Sequence, residues 1–130
     1  MLSRVNKEVV RWPDEATGLP CVAILTPIGH WCGYVGVPEG HRAYQIDYDN
    51  VKRVDGEWID VHGGLTYADF SDERGAGFWW LGFDCAHCGD AVPGLMEHDG
   101  DIFRDLDYVK QECAKLALQL KEISHAAVNG

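Results

Sequence analysis

Two β-rich apolar runs, 21–26 and 31–37, stand on either side of Pro27-Ile28-Gly29-His30, and four intervening residues with a central glycine suit a hairpin. Within the second run Trp31, Gly33 and Val35 face opposite to Cys32, Tyr34 and Gly36, because successive strand side chains alternate. Residues 58–62 also alternate and end at Gly63-Gly64, which predicts a second hairpin with 65–67 as its returning strand. The polar, glycine-rich stretch 72–77 reads as a loop, and 78–83 as a strand bulky on both faces and therefore central. There Trp79, Leu81 and Phe83 point to the core and Trp80, Gly82 and Asp84 to the other side. Finally Leu106, Val109, Cys113, Leu116, Leu120, Ile123 and Ala127 step alternately by three and four, one stripe of an amphipathic helix with Asp105 as N-cap and Asp107 in its first turn.

Strands followed by one long helix predict an α+β fold, a small antiparallel β-sheet packed against a long C-terminal amphipathic helix. The whole of 1–130 is expected to form a single compact domain: an N-terminal segment over 1–20, broken by Pro13, Gly18 and Pro20, a sheet region over 21–84 and a helix over 105–127. The same helical stripe has a rival use as a coiled-coil seam, which would make a homodimer, and Leu118 lies off the stripe as a second contact.

Composition narrows the function. Twenty-one acidic against 11 basic residues give a net charge of −10, a field that repels nucleic acid and anionic membrane surfaces but leaves a small phosphate-bearing ligand possible in a pocket with a few local donors. No apolar run approaches the length of a membrane span. Five cysteines, an odd number, and a start without an apolar leader suggest a reducing cytoplasm, with Cys21 and Cys113 as small core residues.

The text most suggestive of chemistry is 79–90, where a strand runs into Asp84, His87 and Asp90 at spacing three. Trp80 and Asp84 can line one pocket with Gly82 leaving room between them, and a helical turn over 84–90 would bring Asp84 and His87 together. Asp84 as a cap and His87 on a backbone carbonyl is the plainer alternative. Cys85 and Cys88 form a CxxC, but a structural zinc needs two further ligands, for which His30, Cys32 and His62 are available only through folding, and a thioredoxin-like pair lacks its βαβ setting. Asp60 and His62, two apart, point the same way on a strand, so Asp60, His62, Asp84 and His87 could hold a divalent metal. Without a metal, His62, Asp84 and His87 would serve as catalytic acid and base groups. The aromatic and glycine interleaving of 29–36 adds Trp31 and Tyr34 as walls for a flat ring. The ligand-binding set is then Trp31, Tyr34, His62, Trp80, Asp84, His87 and Asp90.

The segments 62–67 (HGGLTY) and 79–87 (WWLGFDCAH) with Gly89-Asp90 resemble a family of small proteins encoded by bacteriophages and prophages, generally without an assigned activity. The similarity extends over 31–38 and the 108–120 helix, and so covers residues 31–120. The position of Cys88 can hold a small residue such as Ala in that family, which shifts the weight from the CxxC to Asp84 and His87. The resemblance implies a phage accessory protein in the host cytoplasm. Joined to the aromatic and His-bearing segments, it gives the expectation of a protein that binds a small nucleotide-like molecule and sequesters a host defence signal, with no resident cofactor. Two alternatives use other features: a metal-dependent hydrolase of such a molecule, and an interaction protein that inhibits a host protein.

Overall fold

In the computed structural model, which describes residues 7–86, 89–92 and 100–126, five strands form one sheet: β1 (Glu8–Pro13), β2 (Pro20–Leu25), β3 (Trp31–Pro38), β4 (Tyr67–Phe70) and β5 (Phe78–Asp84). Their order is β1-β2-β3-β5-β4 and every pairing is antiparallel. The helix α1 (Leu106–Ala126) packs against β3 and β2, so the architecture is α+β as the pattern predicts.

Alternation assigns each strand residue to a face. Cys21, Ala23, Trp31, Val35, Val37, Leu81 and Phe83 point toward α1, whose Val109, Cys113, Leu116 and Leu120 are wholly buried against them. Fully burying an aliphatic side chain stabilises by about 1.5–3 kcal/mol, so this stripe holds the helix to its own sheet and is not a free seam for a second copy. Gly33 permits the close approach: a Cβ there would lie 2.5 Å from the Phe83 ring and 2.9 Å from the Cys113 sulfur. Asp105 caps α1 as expected, its carboxylate accepting from the Tyr108 N–H at 2.9 Å. Leu118 is half exposed on the outer side.

Three expectations are corrected. The opening segment contains β1, paired with β2 from Glu8↔Leu25 to Pro13↔Pro20, and the Pro13, Gly18 and Pro20 punctuation marks the turn between the two strands. The 58–62 and 65–67 hairpin does not form. Ile59 and Val61 turn into the helix-side core, and α1 side chains take the backbone hydrogen bonds that a partner strand would have made. Gly63 and Gly64 do turn the chain with positive φ, but the strand that follows, β4, pairs with β5. The two tryptophans are also exchanged in burial. Trp80 is 1% exposed, covered by the 71–77 loop with its indole N–H donating to the Gly75 carbonyl at 2.9 Å. Trp79 is half-buried and bonds the Ile46 carbonyl.

Candidate functional site

Polar side chains gather in two places. At the start of α1, Arg104, Asp105 and Tyr108 meet the turn that carries His62 and the short bridge that pairs Asp90 with Ile102. The His62 Nδ1 lies 2.7 Å from the Tyr108 hydroxyl and its Nε2 lies 2.7 Å from one Asp90 oxygen, while the Arg104 Nε–H donates to the other at 2.9 Å. The Asp90 carboxyl is 1% exposed. Burial, with the Glu112 charge nearby, raises the Tyr108 pKa, so the phenol keeps its proton; with His62 in the tautomer that carries Nε2–H toward Asp90, Nδ1 is the acceptor of that proton. Glu112 accepts the His62 N–H at 2.8 Å and Gln119 bonds both the N–H and the C=O of Asp60. The result is a phenol–imidazole–carboxylate–guanidinium chain, beside which Glu112 and Gln119 fasten three backbone groups of 60–62 to the helix.

The second gathering lies on the sheet face away from α1. Val22, Ile24, Cys32, Tyr34 and Trp80 form its floor, with Val9, Tyr67 and Phe78 around them. Such an apolar face must be covered, and here the 71–77 loop crosses it. Ser71 begins that loop by accepting the Arg74 N–H at its hydroxyl and the Gly75 N–H at its carbonyl. The turn lays the Arg74 guanidinium on two rings, 3.9 Å from the centre of Tyr34 and 4.5 Å from that of Tyr67. Its Nη1 donates to the Ser71 and Tyr67 hydroxyls at 2.9 and 3.3 Å. Its Nε is buried with no acceptor among the described residues. No carboxylate pairs with Arg74 among the described residues, and its neighbour Glu73 is held by Lys7 at 2.8 Å.

Arg74 lines a cleft of about 410 Å³ whose walls include Trp12, Phe78, Trp80 and a second cation, Arg11. A volume of that order suits a small organic ligand. Burial holds the Tyr34 phenol at about 12 and the Cys32 thiol at about 11, so both stay neutral beneath the guanidinium and neither supplies its counter-charge. The Cys85 thiol, at about 12, is likewise an inert buried group.

The residues singled out in the sequence are therefore divided. His62 and Asp90 are in direct contact. Tyr34, Trp80 and Asp84 share the helix-free face, and Trp31 lies across the sheet from them in the helix-side core. Asp84 closes the β5 end, accepting the Ala86 N–H at 3.0 Å and the Thr66 hydroxyl at 3.4 Å. His87 and Cys88 lie outside the described residues, and with them the Asp84–His87 pairing and the CxxC. Asp60 is exposed, 3.9 Å from Lys115, and does not turn toward His62's partners. Among the described residues no three His, Cys, Asp or Glu side chains come together to hold a metal, and no helix is long and apolar enough to cross a membrane. Arg74, Arg11, Tyr67, Arg104 and Tyr108 are the additions from the structure. No protein-family model, curated protein or solved structure matches the chain.

Proposed function

We propose that this protein binds a small nucleotide-like anion on the helix-free sheet face, with the phosphate at Arg74 and Arg11 and the ring against the aromatic walls of the cleft. One observation carries the reading: a guanidinium laid on two tyrosines beside an aromatic cleft, with a buried Nε that has no acceptor and no carboxylate within ion-pair distance among the described residues. Partly buried charge without a partner is costly, and a ligand phosphate removes that cost while accepting charge-assisted hydrogen bonds. Base stacking on the aromatic walls contributes about 1–3 kcal/mol more. The resemblance to phage-encoded proteins extends the proposal to a phage accessory protein in the host cytoplasm that sequesters a nucleotide signal of host defence.

A second reading, turnover of the ligand, is favoured by the Tyr108–His62–Asp90 chain, whose end member is a protonated phenol able to act as a general acid. The two readings separate on recovery: a sequestered nucleotide returns intact after the protein is denatured, and a substrate does not. Titration calorimetry with AMP, cyclic mononucleotides and ADP-ribose tests the binding itself. The expected result is saturable heat with at least one of them, weakened about 10- to 100-fold by Arg74→Gln, the loss of a charged hydrogen bond of about 1.5–3 kcal/mol. Absence of heat with every one, at millimolar ligand, would overturn the proposal.

A further inference from the structure

Residues 39–66, the long connection between β3 and β4, are tied to α1 by hydrogen bonds through the Asp60 backbone, the His62 N–H, the His62 ring and the His41 ring. The His41 ring differs from the His62 ring in that both of its nitrogens bond backbone groups. His41 is 9% exposed. Its Nδ1 accepts the Ala43 N–H at 2.9 Å, so that nitrogen carries no proton. Its Nε2 lies 2.8 Å from the Leu120 carbonyl, so that nitrogen is the donor. One neutral tautomer satisfies both contacts, and the imidazolium cannot, because its second N–H would meet the Ala43 N–H.

Among the described residues no carboxylate forms an ion pair with the ring. Within the same turn Glu39 and Arg42 flank the ring in sequence; Glu39 lines a small cleft with His41, opposite Lys121 of α1 and Leu19 of the β1–β2 turn. Asp14 of that turn is committed to the Thr17 hydroxyl and N–H at 2.6 and 3.0 Å, and Glu15 beside it is exposed. The turn that His41 anchors is held by single hydrogen bonds, His41 to Pro38, Tyr44 to His41 and Ile46 to Ala43, with the Trp79 indole on the Ile46 carbonyl, and it carries the positive φ of Gln45.

We propose that His41 is an acid-responsive latch: the neutral ring fastens the 38–46 turn to the C-terminal half of α1, and protonation of the ring releases it. Burial lowers the His41 pKa from its ordinary value, in the direction the geometry requires. The linkage follows from that direction. The latch is closed above the free-histidine pKa near 6.5, and its contribution is lost as the pH falls from there through the folded value. Each pH unit across that interval multiplies the weight of the released form by about ten. The latch is made by none of the side chains that seat Arg74 and does not depend on the nucleotide-binding proposal.

Two measurements on the full chain test it. Ring-carbon NMR of the wild type is expected to show His41 titrating below the ordinary histidine range, and a midpoint at or above 6.5 overturns the proposal. Hydrogen exchange, corrected for the intrinsic pH dependence of the chemistry, is expected to show protection of residues 39–46 falling between pH 7.5 and pH 5. The same fall should be absent in His41→Gln, which keeps a donor and an acceptor but does not titrate. Identical pH profiles in the two proteins overturn it, and the ring titration decides alone if the variant does not fold.

Discussion

Trp79 and Trp80 are adjacent, chemically identical and on opposite faces, and the structure gives them unequal burial. Alternation places them on different sides of β5, but which side is better covered depends on the 71–77 loop, whose path the strand pattern does not encode. Trp80→Ala should therefore cost about 3–5 kcal/mol in urea unfolding, and Trp79→Ala, with its half-buried ring, distinctly less. Asp90 is the other residue whose removal should be felt. Its buried carboxylate is shared by His62 and Arg104, so Asp90→Ala leaves a cation and an imidazole without their partner and should lower stability by about 3–5 kcal/mol in the same assay. The pairing of His62 with Asp90 was half visible in the sequence, since both stood out as candidates. Their 28-residue separation gives no periodic sign of contact. Arg74 was hidden differently: a single basic residue inside a polar, glycine-rich loop looks like solvated surface until Tyr34 and Tyr67 are seen beneath it.

At the level of elements, α1 was legible because its apolar stripe repeats over the whole length and Asp105 marks its start. A second stripe was equally present: Tyr108, Glu112, Lys115 and Gln119 step by four, three and four along the flank of the first. Three of its members bond the backbone or side chains of Asp60 and His62, which is why 58–66 follows the helix and not a partner strand. Asp105→Ala should lower stability by about 1 kcal/mol, the ordinary value of an N-cap, as read from the urea midpoint. In the sheet, the pairing of Tyr34 with Gly82 depends on the absent side chain, because a Cβ at Gly82 would run into the Tyr34 ring. Gly82→Ala should cost about 1–3 kcal/mol and, by displacing Tyr34, should also loosen the seat of Arg74. The sequence reading saw Gly82 as space for a ligand; the space is filled by the protein's own ring.

Across the whole molecule the sheet has two unlike faces. One is closed by a helix through close packing of small and aliphatic side chains. The other is crossed, among the described residues, by the 71–77 loop, with an arginine on an aromatic floor and a cleft at its edge. In a chain of net charge −10, Lys7, Arg11 and Arg74 nonetheless converge on this loop, Lys7 on the Glu73 carboxylate, Arg11 on the Glu73 backbone carbonyl, and Arg74 without an ion pair among the described residues. The aromatic and glycine-rich text of 29–36 lies in β3 at the centre of this sheet, and the alternation that divides Trp31 from Tyr34 places the two on opposite faces, not in a single pocket. The central claim is that Arg74 is held for an anion. Its most direct test is the proton–nitrogen NMR spectrum of the arginine Nε–H groups during titration with AMP and, separately, inorganic phosphate. The account predicts that the Arg74 signal moves and saturates while that of Arg104, fixed on Asp90, stays in place. An Arg74 signal unmoved at millimolar concentrations of both, or a saturating shift at Arg104 alone, would contradict it.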